Sequence, residues 1–144
     1  MKEKVSVVIT TYKRKFEVLS RAIISVLNQT YPNVEIIVVN DNRIEDKFYD
    51  EIEKNIKIFE DQIKYISYPD NKGACIARNL GALEAQGKYI AFLDDDDKFL
   101  PDKIEKQANF LQKLSADFVT CLYKPLGEKK KNRKFSRRQY DIIK

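Results

Sequence analysis

The sequence predicts an α/β fold, a mostly parallel, Rossmann-like sheet with helices on both faces. Two observations point there. Short β-branched and apolar runs alternate along the chain with stretches whose apolar residues recur every three or four positions. Four of the short runs lead into polar clusters, as expected where parallel strands end at one common edge. With 144 residues, the chain is long enough for one domain with its own core.

The elements follow in order. Residues 5–10 (VSVVIT) form a continuous run suited to a strand buried on both faces. Phe16, Leu19, Ile23 and Val26 repeat at helical spacing and predict a helix over 15–29, ended before Pro32. Residues 34–39 (VEIIVV) are a second buried strand, and Phe48, Ile52, Ile56 and Phe59 mark a helix over 45–59. Residues 63–67 read as a short third strand. A helix over 73–86 follows, with Ala74, Ala77, Gly81 and Ala85 permitting close packing and Gly87 ending it. Residues 89–93 form a fourth strand. Pro101 suits the first turn of a helix running to 114, and 118–123 reads as a fifth strand. Cys75, Cys121 and Tyr89 read as core positions.

Composition narrows the chemistry. Hydrophobic residues make up 43% and charged residues 34%, the balance of a globular chain. No apolar run approaches the ~20 residues of a membrane span, and the start lacks the features of a secretion signal. Two distant cysteines fit neither a disulfide framework nor a metal-ligand spacing, so a cytoplasmic location is expected. The chain has no histidine, which excludes Ser-His-Asp and Cys-His catalysis and histidine-based zinc sites. Carboxylates, hydroxyls, Lys, Arg, backbone groups and a hard metal ion remain.

Charge is unevenly spread. The net charge is +5, yet residues 124–144 alone carry nine basic against two acidic residues. The basic stretch from Lys129 to Arg138 suits either a solvated connecting segment or peripheral contact with the inner face of a membrane. Nucleic acid is not an expected partner.

The strand ends carry the chemistry. They hold Thr10, Thr11 and Tyr12, then Asn40, Asp41 and Asn42, then Asp70 to Gly73, then Asp94 to Asp97. The last is the strongest signal, four consecutive carboxylates directly after YIAFL. Crowded carboxylates raise one another's pKa unless a cation compensates. In an extended chain Asp94 and Asp96 face the same side, which suits Mg²⁺ or Mn²⁺ with room left for phosphate oxygens. Asp97 suits the capping of the next helix. The sequence has neither a G-x-x-x-x-G-K-[ST] loop nor a G-x-G-x-x-G fingerprint. Phosphate charge would therefore be met by a metal, by backbone donors and by Arg or Lys.

Three blocks, VSVVITTYKR, SVLNQTYPNVEIIVVND and NKGACIARNLGALEAQGKYIAFLDDDDKFLP, resemble the nucleotide-sugar half of family-two inverting glycosyltransferases. The resemblance covers about residues 4–123. It implies an A-type glycosyltransferase fold with a D-x-D metal motif, a nucleotide-sugar-binding domain over 1–123, and in 124–144 a basic tail or the start of an acceptor-binding half. Thr10 and Tyr12 would line the nucleotide pocket, with Tyr12 against the base. Asp41 would hydrogen-bond the base, most often uracil, whereas Asn40 stands where an acidic residue is commoner. Arg78, in the N-x-G-x-x-x-A-R-N block, would lie near the nucleotide-sugar. Asp94 and Asp95 would hold the ribose or sugar, and Asp96 the Mn²⁺ or Mg²⁺.

The activity so implied is inverting transfer of a sugar from a nucleoside diphosphate, UDP above all, to a hydroxyl of a glycan or lipid-linked acceptor. The family's general base comes from a later segment, expected beyond Lys144, so this stretch reads as truncated, with trace transfer at most. The alternative is a non-catalytic nucleotide-binding module acting with a partner. Nucleotidyl transfer to a sugar phosphate would want a Gly-rich basic loop after the first strand, where the sequence has TTYKR.

Overall fold

The computed structural model of the protein describes residues 2–122. Four strands, β1 (Val5–Thr11), β2 (Val34–Asn40), β3 (Lys64–Ser67) and β4 (Tyr89–Asp94), form one sheet in the order β3-β2-β1-β4. All three pairings are parallel. Every strand therefore ends at the same edge, and the order reverses between β1 and β4.

Two apolar layers hold the sheet. Val5, Val7 and Ile9 of β1, with Ile36 and Val38 of β2 and Leu93 of β4, face a large cluster. Helices α1 (Phe16–Leu27), α2 (Lys47–Asn55) and α4 (Lys103–Leu114) supply Leu19, Ile23, Val26, Ile52, Ile104 and Ala108 to it. On the opposite face α3 (Ala74–Leu83) covers Val8, Ile37 and Val39 through Ala77. This alternation is why β1 reads as an unbroken apolar run. Asp46 opens α2 by accepting a 3.0 Å hydrogen bond from the Phe48 amide. Among the described residues no helix is long and apolar enough to cross a membrane.

Gly81 explains how α3 lies so close to the sheet. A Cβ there would stand 2.3 Å from Val8 Cγ1 and 3.3 Å from Val39 Cγ2. Val8 is fully buried and β-branched, so it cannot rotate away. Gly81→Ala gains about 1 kcal/mol of helix propensity but overpacks the contact by about 1–3 kcal/mol. With the 2.3 Å contact placing the cost toward its upper end, a net loss of up to about 2 kcal/mol is expected in urea unfolding. The Gly81→Ala, Val8→Ala pair should lose less than the sum of the two single changes. Additive losses would mean that the two sites do not press on one another.

The structure corrects several expectations. The helix expected over 45–59 ends at Asn55 and continues as a 3₁₀ turn, Ile56–Phe59. The helix expected to reach 86 stops at Leu83, and Gly87 does not have a positive φ. Gly87 is instead needed for close approach, since a Cβ would lie 2.6 Å from the Ser6 amide nitrogen. Its own amide donates to Ser6 Oγ at 2.8 Å. Asp97 caps no helix, because α4 starts only after Asp102. Residues 118–122 are not a strand: they run beside β4 and α4 without ladder hydrogen bonds, leaving Phe118 and Leu122 exposed. Cys75 and Cys121 are exposed rather than core, one on the outer side of α3 and the other in this unpaired stretch. Tyr89 is partly buried against the larger cluster. Tyr123 and the basic stretch Lys129 to Arg138 lie outside the described residues.

Candidate active site

A cavity of about 440 Å³ opens at the carboxyl edge of the sheet. It lies where the order reverses, the usual place for a ligand in such sheets. All seven site residues expected from the sequence line it: Thr10, Tyr12, Asp41, Arg78, Asp94, Asp95 and Asp96. Asn71, Gly73 and the small residues Ala74 and Ala77 of α3 complete one wall. Two further lining residues had no role assigned from the sequence: Thr11, named only as part of the first strand's polar end, and Arg14.

Asp41 is buried, and its carboxylate is fully engaged. Oδ1 accepts from the Tyr68 hydroxyl at 2.6 Å and the Lys72 amide at 2.8 Å. Oδ2 accepts from Asn71 Nδ2 at 2.7 Å and the Gly73 amide at 3.0 Å. Four donors fill the roughly four acceptor positions of a carboxylate. Burial, then the neighbouring Asp41 charge, pushes the Tyr68 hydroxyl far above its usual range, so it stays a donor. Asp41 thus organises the loop that leads into α3. Gly73, with φ of 88°, makes the sharp turn at the end of this loop.

A chain of polar contacts fixes the loop after β1. Lys13 is left-handed with φ of 52°, unusual for a residue with a side chain. Its amide donates to Asn42 Oδ1 at 2.7 Å. Asn42 Nδ2 donates to Asn40 Oδ1, and Asn40 Nδ2 donates to the Tyr65 hydroxyl. That hydroxyl donates to Glu53 of α2 at 2.7 Å. Asn40 is therefore a buried connector between strand ends. The loop it steadies carries Tyr12, which is 44% exposed and lines the cavity.

The acidic run does not stay extended. β4 ends at Asp94, and the Asp97 amide returns to the Asp94 carbonyl at 3.1 Å. The turn leaves Asp94 and Asp96 exposed and drives Asp95 inward. Arg78 pairs with Asp94 at 2.6 Å. Arg14 pairs with Asp96 at 2.8 Å and reaches Asp95 at 3.6 Å. Burial pushes the Asp95 carboxyl above the usual range, against the pull of Thr11 and Arg14. Thr11 Oγ1 is close enough to favour the Asp95 charge but forms no hydrogen bond of normal geometry and is buried without a partner.

These residues suit a metal of one kind. Among the described residues no three acidic, histidine or cysteine side chains converge as a cage. Mg²⁺ and Mn²⁺ are commonly held by one or two carboxylates together with substrate phosphates. Asp96 and its neighbours fit that mode, and a buried orphan hydroxyl beside them leaves polar capacity unspent.

The comparisons with known proteins agree with this architecture. The model of the family "Glycosyl transferase family 2" matches residues 6–143. The chain is 38% identical over 127 residues to "Putative teichuronic acid biosynthesis glycosyltransferase TuaG" of Bacillus subtilis, covering 88% of this chain and 49% of that protein. It is 39% identical over 110 residues to the Escherichia coli "UDP-Glc:alpha-D-GlcNAc-diphosphoundecaprenol beta-1,3-glucosyltransferase WfaP", covering 76% of this chain and 42% of that one. The backbone is similar to that of the mannosyltransferase PcManGT from Pyrobaculum calidifontis, solved with GDP-Man and Mn²⁺. The TM-score is 0.68 at 19% identity, covering 86% of this chain and 36% of that one. The chain spans less than half the length of the curated relatives it matches.

Proposed function

The chain belongs to glycosyl transferase family 2 and has an A-type glycosyltransferase fold, and from that premise we propose that its cavity binds a nucleoside diphosphate sugar, preferentially a UDP-sugar, for inverting transfer to an acceptor hydroxyl. One observation carries the reading: the four strand ends and α3 bring an exposed tyrosine, two arginines and four carboxylates to one cleft. The sugar acceptor is a glycan or a lipid-linked glycan. WfaP, named for UDP-Glc and a diphosphoundecaprenol-linked acceptor, supports both assignments.

Each residue has a task. Tyr12 stacks on the base, while Thr10 closes the floor of the nucleotide pocket. The Asp41-organised loop offers the base and ribose a fixed wall. Arg78 leaves Asp94 to meet the diphosphate, and Asp94 and Asp95 then accept from ribose or sugar hydroxyls. Asp96 is the ligand for Mn²⁺ or Mg²⁺, and the ion, when bound, neutralises charge that builds on the departing diphosphate. A carboxylate must also take the acceptor's proton. Every cavity carboxylate among the described residues is already engaged, Asp41 by four donors and the others by Arg14 or Arg78. That observation favours, as the second reading, a donor-binding module whose base is supplied from elsewhere.

Calorimetry with uridine diphosphate, with and without Mn²⁺, tests the reading. Binding should depend strongly on the cation, because diphosphate and carboxylates repel without one. Equal affinity in both conditions would refute the metal-bridged site. Tighter binding of guanosine diphosphate would correct the base alone.

A further inference from the structure

We propose that Arg14 is a donor-phosphate ligand held in reserve on Asp96, exchanging its carboxylate for phosphate when a divalent cation and nucleoside diphosphate arrive together. The inference rests on the diphosphate-binding reading above. The cavity wall carries two guanidinium groups against four carboxylates, so it is net negative and repels a bare diphosphate. Arg14 is the residue that offsets this at Asp95 and Asp96, with the pairs at 3.6 and 2.8 Å. In doing so it occupies the carboxylate best placed to bind a metal.

A divalent cation on Asp96 repels the guanidinium held beside it and weakens that ion pair, so the two compete for one carboxylate. When the ion takes that carboxylate, the guanidinium is released beside the incoming phosphates. Its planar fork of donors fits phosphate oxygens as well as it fits a carboxylate. The side chain is about half exposed, so it can move without disturbing the core. Its neighbour Lys13 is pinned through its amide to Asn42, which holds the base of the arm in place while the side chain moves. The buried, unpartnered Thr11 hydroxyl lies at the same corner of the cavity and gives a rearranged Asp95 a donor once Arg14 has left.

Arg14 should therefore act in opposite directions on the two ligands. Without nucleotide it competes with the cation, and with nucleotide it helps. Free-ion electron paramagnetic resonance measures Mn²⁺ binding alone, and calorimetry measures uridine diphosphate binding at saturating Mn²⁺. Arg14→Gln should bind Mn²⁺ alone about two- to fivefold more tightly, the worth of an exposed ion pair. The same variant should bind uridine diphosphate with Mn²⁺ about tenfold or more weakly, the worth of a charge-assisted contact. Arg14→Lys, which keeps the charge but not the fork, should fall between. An Arg14→Gln variant that binds Mn²⁺ no better, or that keeps wild-type affinity for the nucleotide, overturns the exchange while leaving the proposed function standing. Wild-type protein that binds uridine diphosphate equally with and without Mn²⁺ refutes the metal-bridged site and the exchange with it, whereas protein that binds no nucleoside diphosphate in either condition overturns the proposed function.

Discussion

Asp96→Ala removes most Mn²⁺-dependent binding of uridine diphosphate, a loss of about 100-fold or more in calorimetry, while leaving the fold intact. Outer-shell partners of a bound metal are themselves worth about 10–100-fold, so losing a direct carboxylate ligand should cost at least as much. The side chain is about half exposed, and its partner is the exposed Arg14. Stability should change by no more than about 0.5 kcal/mol. The freed Arg14 keeps Asp95 within reach, so it does not become a stranded charge. Wild-type affinity in Asp96→Ala would move the metal ligand to Asp94 or Asp95. Asp96→Asn should behave like the alanine variant, because a neutral amide oxygen holds a hard cation far less well than a carboxylate.

Asp41→Ala should unfold the protein far more easily, by about 3–5 kcal/mol in urea titration. Removing one member of a buried, fully hydrogen-bonded cluster leaves its partners without a substitute. Here the donors from Tyr68, Lys72 and Gly73 would lose their acceptor beside a 2% exposed position, while Asn71 would keep only its 2.8 Å bond to the Asp41 carbonyl. Amide exchange at Lys72 and Gly73 should accelerate along with the global loss. This differs from what the resemblance implies for Asp41, which is a hydrogen bond to the base. If base recognition is its main task, Asp41→Ala would alter nucleotide preference with stability nearly unchanged. Both quantities come from one sample, so the outcomes separate cleanly.

Much of this site was legible from the chain alone because strand ends in a parallel sheet share an edge. Once 5–10, 34–39, 63–67 and 89–93 read as parallel strands, Thr10, Asp41 and Asp94 had to lie near one another. Helical spacing at Leu19, Ile23 and Val26 identified the buried side of α1 in the same way. Arg14 was not legible, because nothing in TTYKR distinguishes a residue that folds back over Asp96 from a solvated one. Its position depends on the left-handed turn at Lys13 and on Asn42 from another strand end. A basic residue a few positions after the first strand, facing an acidic run known to share that edge, is the signal that could have found it.

Periodicity sets which residues face inward, and so the alternation of apolar runs by itself determined the fold class, four of the five strands it predicts and the edge where the candidate site lies. Those are consequences of local geometry, in which a strand repeats every two residues and a helix about every 3.6. The tertiary structure alone decided what each polar group does there. Asp94 to Asp97 look equivalent in sequence, yet the turn after β4 buries Asp95 and gives Asp94 and Asp96 to different arginines. Asp41 became an organiser because Tyr68, Asn71, Lys72 and Gly73 approach it from about 30 residues away. Likewise, 118–122 has the composition of a strand but no ladder beside β4, and pairing is a property of two segments rather than one. Hydrogen-bond partners, burial and charge neighbours arise between segments, and only the folded arrangement brings those segments together.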